Sequence, residues 1–421
     1  MTTLTLVFLL AVLMSTALRM WLTQRQMRSV TRHRATVPGA FAGTISLEEH
    51  QKAADYTLAR GSLNQFDTLL GSAVLLAITL GGGLNWLESR WQLVGLTTPW
   101  HGVAVIASLL LLTSLIDLPL SWYRSFRIEA RFGFNRMTQG MFFLDLLKGL
   151  LLGAILGLPL LWIVLKLMNS AGTLWWLYAW AVWLSFSLLI SWAWPIFIAP
   201  LFNKFTPLKD AALAERISQL LSRCKFSSAG VFVMDGSSRS THGNAYFTGL
   251  GRNKRIVFFD TLVDRLSPTE IEAVLAHELG HYSLHHIRKG LMLSSVLSLL
   301  AFALLGHLAN WPEFYTALGV NQPSTHAALL LFMLASGPFI FFFTPIGAAW
   351  SRKHEFEADT FAAQHADAQQ LIRALVKLYR DNASTLTPDA VHSRFYDSHP
   401  PALERIAFLE KLHAGKAANP T

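Results

Sequence analysis

Long blocks of this chain carry no charge. Residues 2–18, 68–87, 149–165, 174–202, 291–309 and 326–350 contain no Asp, Glu, Lys or Arg, and residues 101–121 contain only Asp117. A bilayer core needs about 20 mostly apolar residues in a helix, so the pattern predicts seven transmembrane helices. Buried helices of a soluble protein rarely give seven such blocks. The first block has the length of a secretory signal, but a signal carries positive charge ahead of its apolar run. Here the run follows Met1-Thr2-Thr3 and the arginines come after it, so an uncleaved helix is expected.

Two polar segments remain, 203–290 and 351–421. Within the first, Ala212, Leu213, Ile217, Leu220 and Leu221 give Lys209–Leu221 helical spacing. Gly230–Met234, Asn244–Thr248 and Arg255–Phe259 read as strands, with Gly249–Lys254 suited to a hairpin connection. Ser267-Pro268-Thr269-Glu270 marks a helix start: Ser267 can cap, Pro268 fits the first helical position and Glu270 completes a capping box. This helix is predicted to run to about Lys289. The expected architecture is a mainly α membrane protein. Residues 1–202 hold helices one to five, 291–350 form a hairpin of helices six and seven, and 203–290 with 351–421 build one discontinuous α+β domain.

Composition agrees: 52% of residues are hydrophobic and 14% charged, against about 25% charged in soluble domains. The chain has 35 Lys+Arg against 26 Asp+Glu, a net charge of +9. Nucleic acid is one partner for such a balance, but the loops show a different order. Arg25, Arg28, Arg32, Arg34, Lys52 and Arg60 follow helix one, and Arg124, Arg127, Arg131 and Arg136 follow helix three. Residues 88–100 carry only Arg90, 168–173 and 310–325 carry no base, and helix seven runs into Arg352-Lys353. This alternation is positive-inside topology. It places the N terminus outside and both polar segments in the cytoplasm, with the lipid bilayer, and no nucleic acid, as partner. The single cysteine, Cys224, excludes an intramolecular disulfide and a cysteine-rich metal site. The C-terminal Ala418-Asn419-Pro420-Thr421 offers no retention or prenylation signal. With the compact length, this points to a bacterial inner membrane.

The chemistry concentrates in His277-Glu278-Leu279-Gly280-His281. On a helix, His277 and His281 project from one face, which makes a zinc half-site. Glu278 points elsewhere and can take a proton from a water on the metal's open side. A third protein ligand is needed. His285 extends the stripe, but three histidines on one straight helix span about 12 Å at 1.5 Å per residue. The metzincin positions hold Leu284 and Ile287. Carboxylates remain, in His354-Glu355-Phe356-Glu357-Ala358-Asp359. Glu355 and Asp359 are four apart, so one can ligate while the other takes a hydrogen bond from a ligand histidine.

The chain resembles the Ste24-type (CAAX prenyl protease 1) branch of the M48 zinc metalloproteases. The resemblance rests on His277–His281 and Glu355–Asp359 together with Glu129-Ala-Arg-Phe-Gly-Phe-Asn135, Gly243-Asn-Ala-Tyr-Phe247, Lys254-Arg-Ile-Val-Phe-Phe-Asp-Thr261 and Ser398-His-Pro-Pro401. It implies a zincin-like protease domain with one zinc per chain. Glu355 is then the third ligand, Glu278 the general base, and Asp359 a catalytic partner often described as a proton donor. His399 falls at the active site, where it could donate to the oxyanion. Asn244-Ala245-Tyr246 lies on an edge strand that takes the substrate peptide, and Arg405 supports the same region. An enclosed chamber would account for Asp117. His354 and Glu357 are expected to be bystanders, and His285 and His286 surface or membrane-interface groups.

The expected function is therefore an integral-membrane zinc endopeptidase. Its substrate is a prenylated CaaX-type or other membrane-associated peptide or protein, or alternatively a misfolded protein in quality control. A zinc transporter would place its ligands inside the apolar runs, and a seven-helix receptor would have no use for the catalytic constellation.

Overall fold

The computed structural model describes residues 1–248 and 255–418; the predicted connection Gly249–Lys254 lies outside them. The membrane part comprises α1 (Thr3–His33), α2 (Leu47–Ile78), α3 (Gly83–Gln92), α4 (Trp100–Tyr123), α5 (Gln139–Ser170), α6 (Trp175–Ala193) and α7 (Ala199–Phe202). The polar part follows with β1 (Phe205–Pro207), α8 (Ala211–Arg223), β2 (Val231–Met234), β3 (Ala245–Thr248), β4 (Arg255–Phe259), α9 (Asp260–Val263) and α10 (Pro268–Ser283). Then come α11 (His286–Leu308), α12 (Pro312–Ala317), α13 (Thr325–Ile340), α14 (Thr344–His365), α15 (Ala368–Asp381), α16 (Ala390–Tyr396) and α17 (Ala402–Ala418).

Among the described residues six helices, some continued by a short π or 3-10 segment, are long and apolar enough to span a bilayer, or seven if the bent pair α2–α3 counts as one span. They expose Leu111, Leu115, Leu151, Ile155, Val296, Leu297 and Leu300. So much apolar surface is untenable in water and suits lipid. The helices overrun the charge-free blocks. Residues 22–65, read as a loop, are largely helical, because α1 continues to His33 and a Ser46–Glu49 capping box starts α2 early. Conversely, block 68–87 is not one helix. It breaks after Ile78, and α3 leaves at 52° to α2. Gly82 makes the turn with φ 78°, a conformation open to glycine at no steric cost.

The sheet order is β1-β2-β4-β3, with β2 and β4 parallel and the outer pairs antiparallel. Strand β1 carries no periodic signal in three residues and was not expected. The buried run Ile256, Val257, Phe258 suits the inner strand β4. A single core joins both polar segments: Leu213, Ile217 and Leu220 of α8, Phe258 of β4, Ile271, Leu275 and Leu279 of α10, Ala362 of α14, Leu371 and Leu375 of α15, and Leu409 of α17.

Helix α10 starts where expected, with both halves of the capping box formed. It does not reach Lys289. It ends at Ser283, and His285 adopts a left-handed conformation (φ 61°) that turns the chain into α11. Histidine is among the few side chains that visit this region with any frequency. Helix α10 packs directly on α14. A Cβ built on Gly280 would stand 2.9 Å from Ala358 Cα, so the two backbones meet at a distance only glycine permits. Replacing Gly280 by Ala gains about 1 kcal/mol of helix propensity but overpacks a backbone contact, at a cost of about 1–3 kcal/mol. Gly280→Ala is therefore expected to lower the unfolding temperature of the detergent-solubilised protein. Gly290→Ala, where nothing lies within 4 Å, should leave it unchanged or raise it; equal shifts for the two variants would remove this helix contact from the account.

Candidate active site

The crossing of α10 and α14 decides which side chains meet. Four-residue spacing puts His277 and His281 on the α10 face toward α14, and Glu355 and Asp359 on the α14 face toward α10. His277 Nε2 and His281 Nε2 are 3.2 Å apart. They lie 3.4 Å and 3.3 Å from Glu355 Oε2 and Oε1.

The outer nitrogens fix the tautomers. His277 Nδ1 stands 2.8 Å from Asp359 Oδ1. Arg405 Nη2 is 3.0 Å from the same nitrogen, but the carboxylate can only accept, so Nδ1 carries the proton and donates it to Asp359. Nε2 of His277 then carries the ring's lone pair, with Arg405 Nη2 3.2 Å from it. For His281, Nδ1 lies 3.0 Å from His286 Nδ1, and His286 Nε2 lies 2.9 Å from Glu357 Oε2. Glu357 accepts from His286 Nε2–H, which leaves His286 Nδ1 as acceptor and makes His281 Nδ1 the donor. His281 Nε2 is thereby a second lone pair. Glu355 Oε2 is buried without a hydrogen-bond partner. Two imidazole lone pairs and an orphaned carboxylate oxygen facing one point fit a divalent cation, and the donor types suit zinc.

Sequence reasoning had set His286, His354 and Glu357 aside, and the structure corrects this. His286 is buried, hydrogen-bonded to His281 and Glu357, and stacked on His354 at 3.9 Å. The helix break at His285 is what turns His286 inward; a continuous helix would not have signalled it. His285 itself is exposed, as expected.

Around this centre, Glu278 is half-buried, and burial holds its carboxyl above the ordinary glutamate range. Asp359 is fully buried; Arg405 donates from Nε to its Oδ2 and from Nη2 to its Oδ1, both at 2.7 Å. Arg405, expected among the substrate-binding groups, is itself buried and directs these donors at Asp359. His399 is exposed, with Nε2 3.3 Å from Glu355 Oε1. A cleft of about 370 Å³ opens here, lined by Gly243, Asn244, Ala245, Glu278, His399 and an apolar wall including Leu371, Leu375 and Leu378.

Strand β3 flanks the cleft and pairs only with β4 in the described sheet. Phe259 N–H donates to Asn244 O at 2.9 Å, so Asn244 and Tyr246 face β4 in the alternating antiparallel ladder. The open edge is presented by Ala245 and Phe247. Ala245 N–H is held there by Asn244 Oδ1 at 2.8 Å. The Tyr246 ring packs toward Met234 and Phe259 and does not line the cleft. The motif around Glu129 has a tethering place. Tyr56 donates to Glu129 at 2.6 Å, and Phe134 stacks on His242 just before β3.

The geometry defines a membrane-embedded metallopeptidase. The comparisons carry this further. Residues 26–204 match the CAAX prenyl protease N-terminal model, described as five membrane helices, and residues 207–413 match peptidase family M48. The CAAX prenyl protease 1 homolog of Arabidopsis thaliana is 35% identical over 89% of this chain and 90% of its own length. The Saccharomyces cerevisiae CAAX prenyl protease 1 is 33% identical over 94% and 93%. The crystal structure of S. mikatae Ste24p superposes with a TM-score of 0.88, at 31% identity, over 97% of this chain and 99% of that one. The chain belongs to peptidase family M48, in its Ste24 (CAAX prenyl protease 1) branch, and is an integral-membrane zinc-dependent endopeptidase.

Hydrogen-bond partners of metal-binding histidines typically contribute 10–100-fold in metal affinity. His286→Ala is expected to weaken zinc binding by about that factor, read in a competition titration with a chromophoric chelator. Unchanged affinity would show that the His281–His286 contact has no influence on the metal.

Proposed function

We propose that His277, His281 and Glu355 hold one zinc ion and that the cleft beside it cleaves peptides bound in extended form along β3. The observation that carries the reading is the orphaned Glu355 Oε2 facing two imidazoles whose tautomers are set from behind. When bound, zinc supplies Lewis-acid chemistry, acidifying water and polarising the scissile carbonyl. Glu278 receives the water's proton and passes it to the leaving amine; its burial supports a more basic carboxylate than an exposed glutamate offers. Asp359 holds the His277 tautomer. With its oxygens engaged by Arg405 and His277 and no exposure to the cleft, this favours a positioning role over proton donation to substrate. His399, exposed beside Glu355, donates to the developing oxyanion. Backbone groups of Ala245 and Phe247 bind the substrate by strand addition, displacing the Asn244 side chain.

The apolar wall of Leu371, Leu375 and Leu378 supports preference for an aliphatic side chain next to the cut bond. Relatives are named CAAX prenyl proteases, so the substrate class we propose is a membrane-associated peptide of CaaX type, with prenylation a further determinant. Strand addition reads backbone and not sequence, which favours clearance of misfolded membrane proteins as the second reading. The arginine pattern supports a protease part in the cytoplasm and an N terminus outside. We divide the chain into 1–202, 203–290, 291–350 and 351–421 on the shared core of the second and fourth segments.

Glu278→Gln is expected to keep fold and bound zinc while peptide hydrolysis falls by at least about 10²–10⁴-fold; hydrolysis retained by the purified variant would sink the assignment. Cleavage of farnesylated and unfarnesylated CaaX peptides, with and without a chelator, separates the two substrate readings. Prenyl-dependent, chelator-sensitive cleavage is the result expected of the first. Equal cleavage of both, with comparable cutting of unfolded proteins, is expected of the second.

A further inference from the structure

Among the described residues three clusters are of metal-ligand type: the one at His277, His281 and Glu355, its neighbour at His286, His354 and Glu357, and a third that lies away from the protease cleft. Helix α11 leaves the protease part at His286, and α13 returns to it through α14, so the start of α13 lies at the other end of the membrane bundle. There, Glu88 of α3, His101 in the first turn of α4 and His326 in the first turn of α13 meet. Glu88 Oε1 is 2.8 Å from His101 Nε2, and Glu88 Oε2 is 2.8 Å from His326 Nε2. The imidazole centroids are 5.3 Å apart. Side-chain exposure is 24% for Glu88, 14% for His101 and 8% for His326, so none is an ordinary surface group.

The site is shaped to bring these groups together. A Cβ on Gly102 would stand 2.8 Å from His326 Cβ, so a glycine beside His101 is what lets His326 close on α4. Ser324 Oγ, which caps α13, lies 3.1 Å from His326 Nε2. That nitrogen has one bonding site and faces both Glu88 and Ser324. A cavity of about 170 Å³ adjoins the cluster, lined by Glu88, Gln92, Asn321, Gln322 and Ser324 among others, with room and partners for water.

We propose that Glu88, His101 and His326 form a second divalent-metal site, taking a zinc-class cation that clamps α3, α4 and α13 together. One carboxylate and two neutral imidazoles with water in the remaining position is a donor set that suits zinc and its neighbours copper and nickel. With metal–ligand distances near 2.0–2.2 Å, ligand atoms around one ion stand about 3.3 Å apart. The contacts here are about half an ångström shorter, which a small rotation of the Glu88 carboxylate relieves. Each ring binds the cation through Nε2 once its proton has moved to Nδ1, and the ion holds the bent α3 against the bundle. This site is independent of the catalytic one.

The test is the metal count of the full-length protein in detergent, equilibrated with micromolar free Zn²⁺ and measured by inductively coupled plasma mass spectrometry. Two zinc ions per chain are expected for the natural sequence and one for Glu88→Gln and His326→Asn, with peptidase activity retained in both variants. Glu88→Gln keeps a side chain that can hydrogen-bond the rings, so a purely hydrogen-bonded clamp would leave the count unchanged. One ion in the natural protein, or the same count in natural protein and variants, would overturn the proposal. Should a variant lose activity through misfolding, the zinc anomalous difference map of the natural protein decides: zinc density between Glu88, His101 and His326 supports the site, and no density there overturns it.

Discussion

The close approach of α10 and α14 at Gly280 and Ala358 is the constraint on which the site depends. Neither helix carries the whole cluster. The imidazoles come from one and the carboxylates from the other, and their spacing within each helix counts only if the backbones nearly touch. Small residues make that seam: Ala276 and Ala358 are fully buried, and Ala273 and Ala362 nearly so. A larger side chain at the crossing would separate Glu355 from His277 and His281 by more than metal coordination tolerates.

Charge is managed from behind the ligands. Each of the two histidines leans on a partner that fixes where its proton sits: Asp359 for His277, and His286 with Glu357 for His281. The buried Asp359 would be costly alone, and Arg405 neutralises it with two hydrogen bonds. A buried ion pair of this kind adds little net stability; here it holds an imidazole in one tautomer. Asp359 and Glu357 sit on α14, His286 at the start of α11 and Arg405 on α17, so the orientation of the site is tied to the packing of these helices.

The membrane contributes more than anchorage. Helices α11, α13 and α14 form one excursion across the bilayer whose return strand of chain carries Glu355. The turn at His285 is where this excursion begins, and it also swings His286 under His281. A single left-handed residue thus serves both the path into the membrane and the support of a ligand. At the other side of the protease part, Glu129 with Tyr56, and Phe134 with His242, tie the membrane helices to the segment leading into β3.

Much was legible in the sequence because it is set by composition and short-range spacing. Charge-free blocks mark membrane helices since a bilayer tolerates little else; the Ser267–Glu270 cap and the spacing of His277 and His281 follow from helix geometry alone. The block 68–87 misled because hydrophobicity reports burial in lipid and not helix continuity, which Gly82 interrupts. Spacing places Glu355 and Asp359 alike on one face of α14; only the crossing puts Glu355 beside the inner nitrogens and Asp359 behind one of them. His286, Arg405 and the open backbone edge at Ala245 and Phe247 had no local signature. Their places depend on a helix break, a distant helix and a strand pairing, all of them contacts between segments far apart in the chain, which only the folded structure decides.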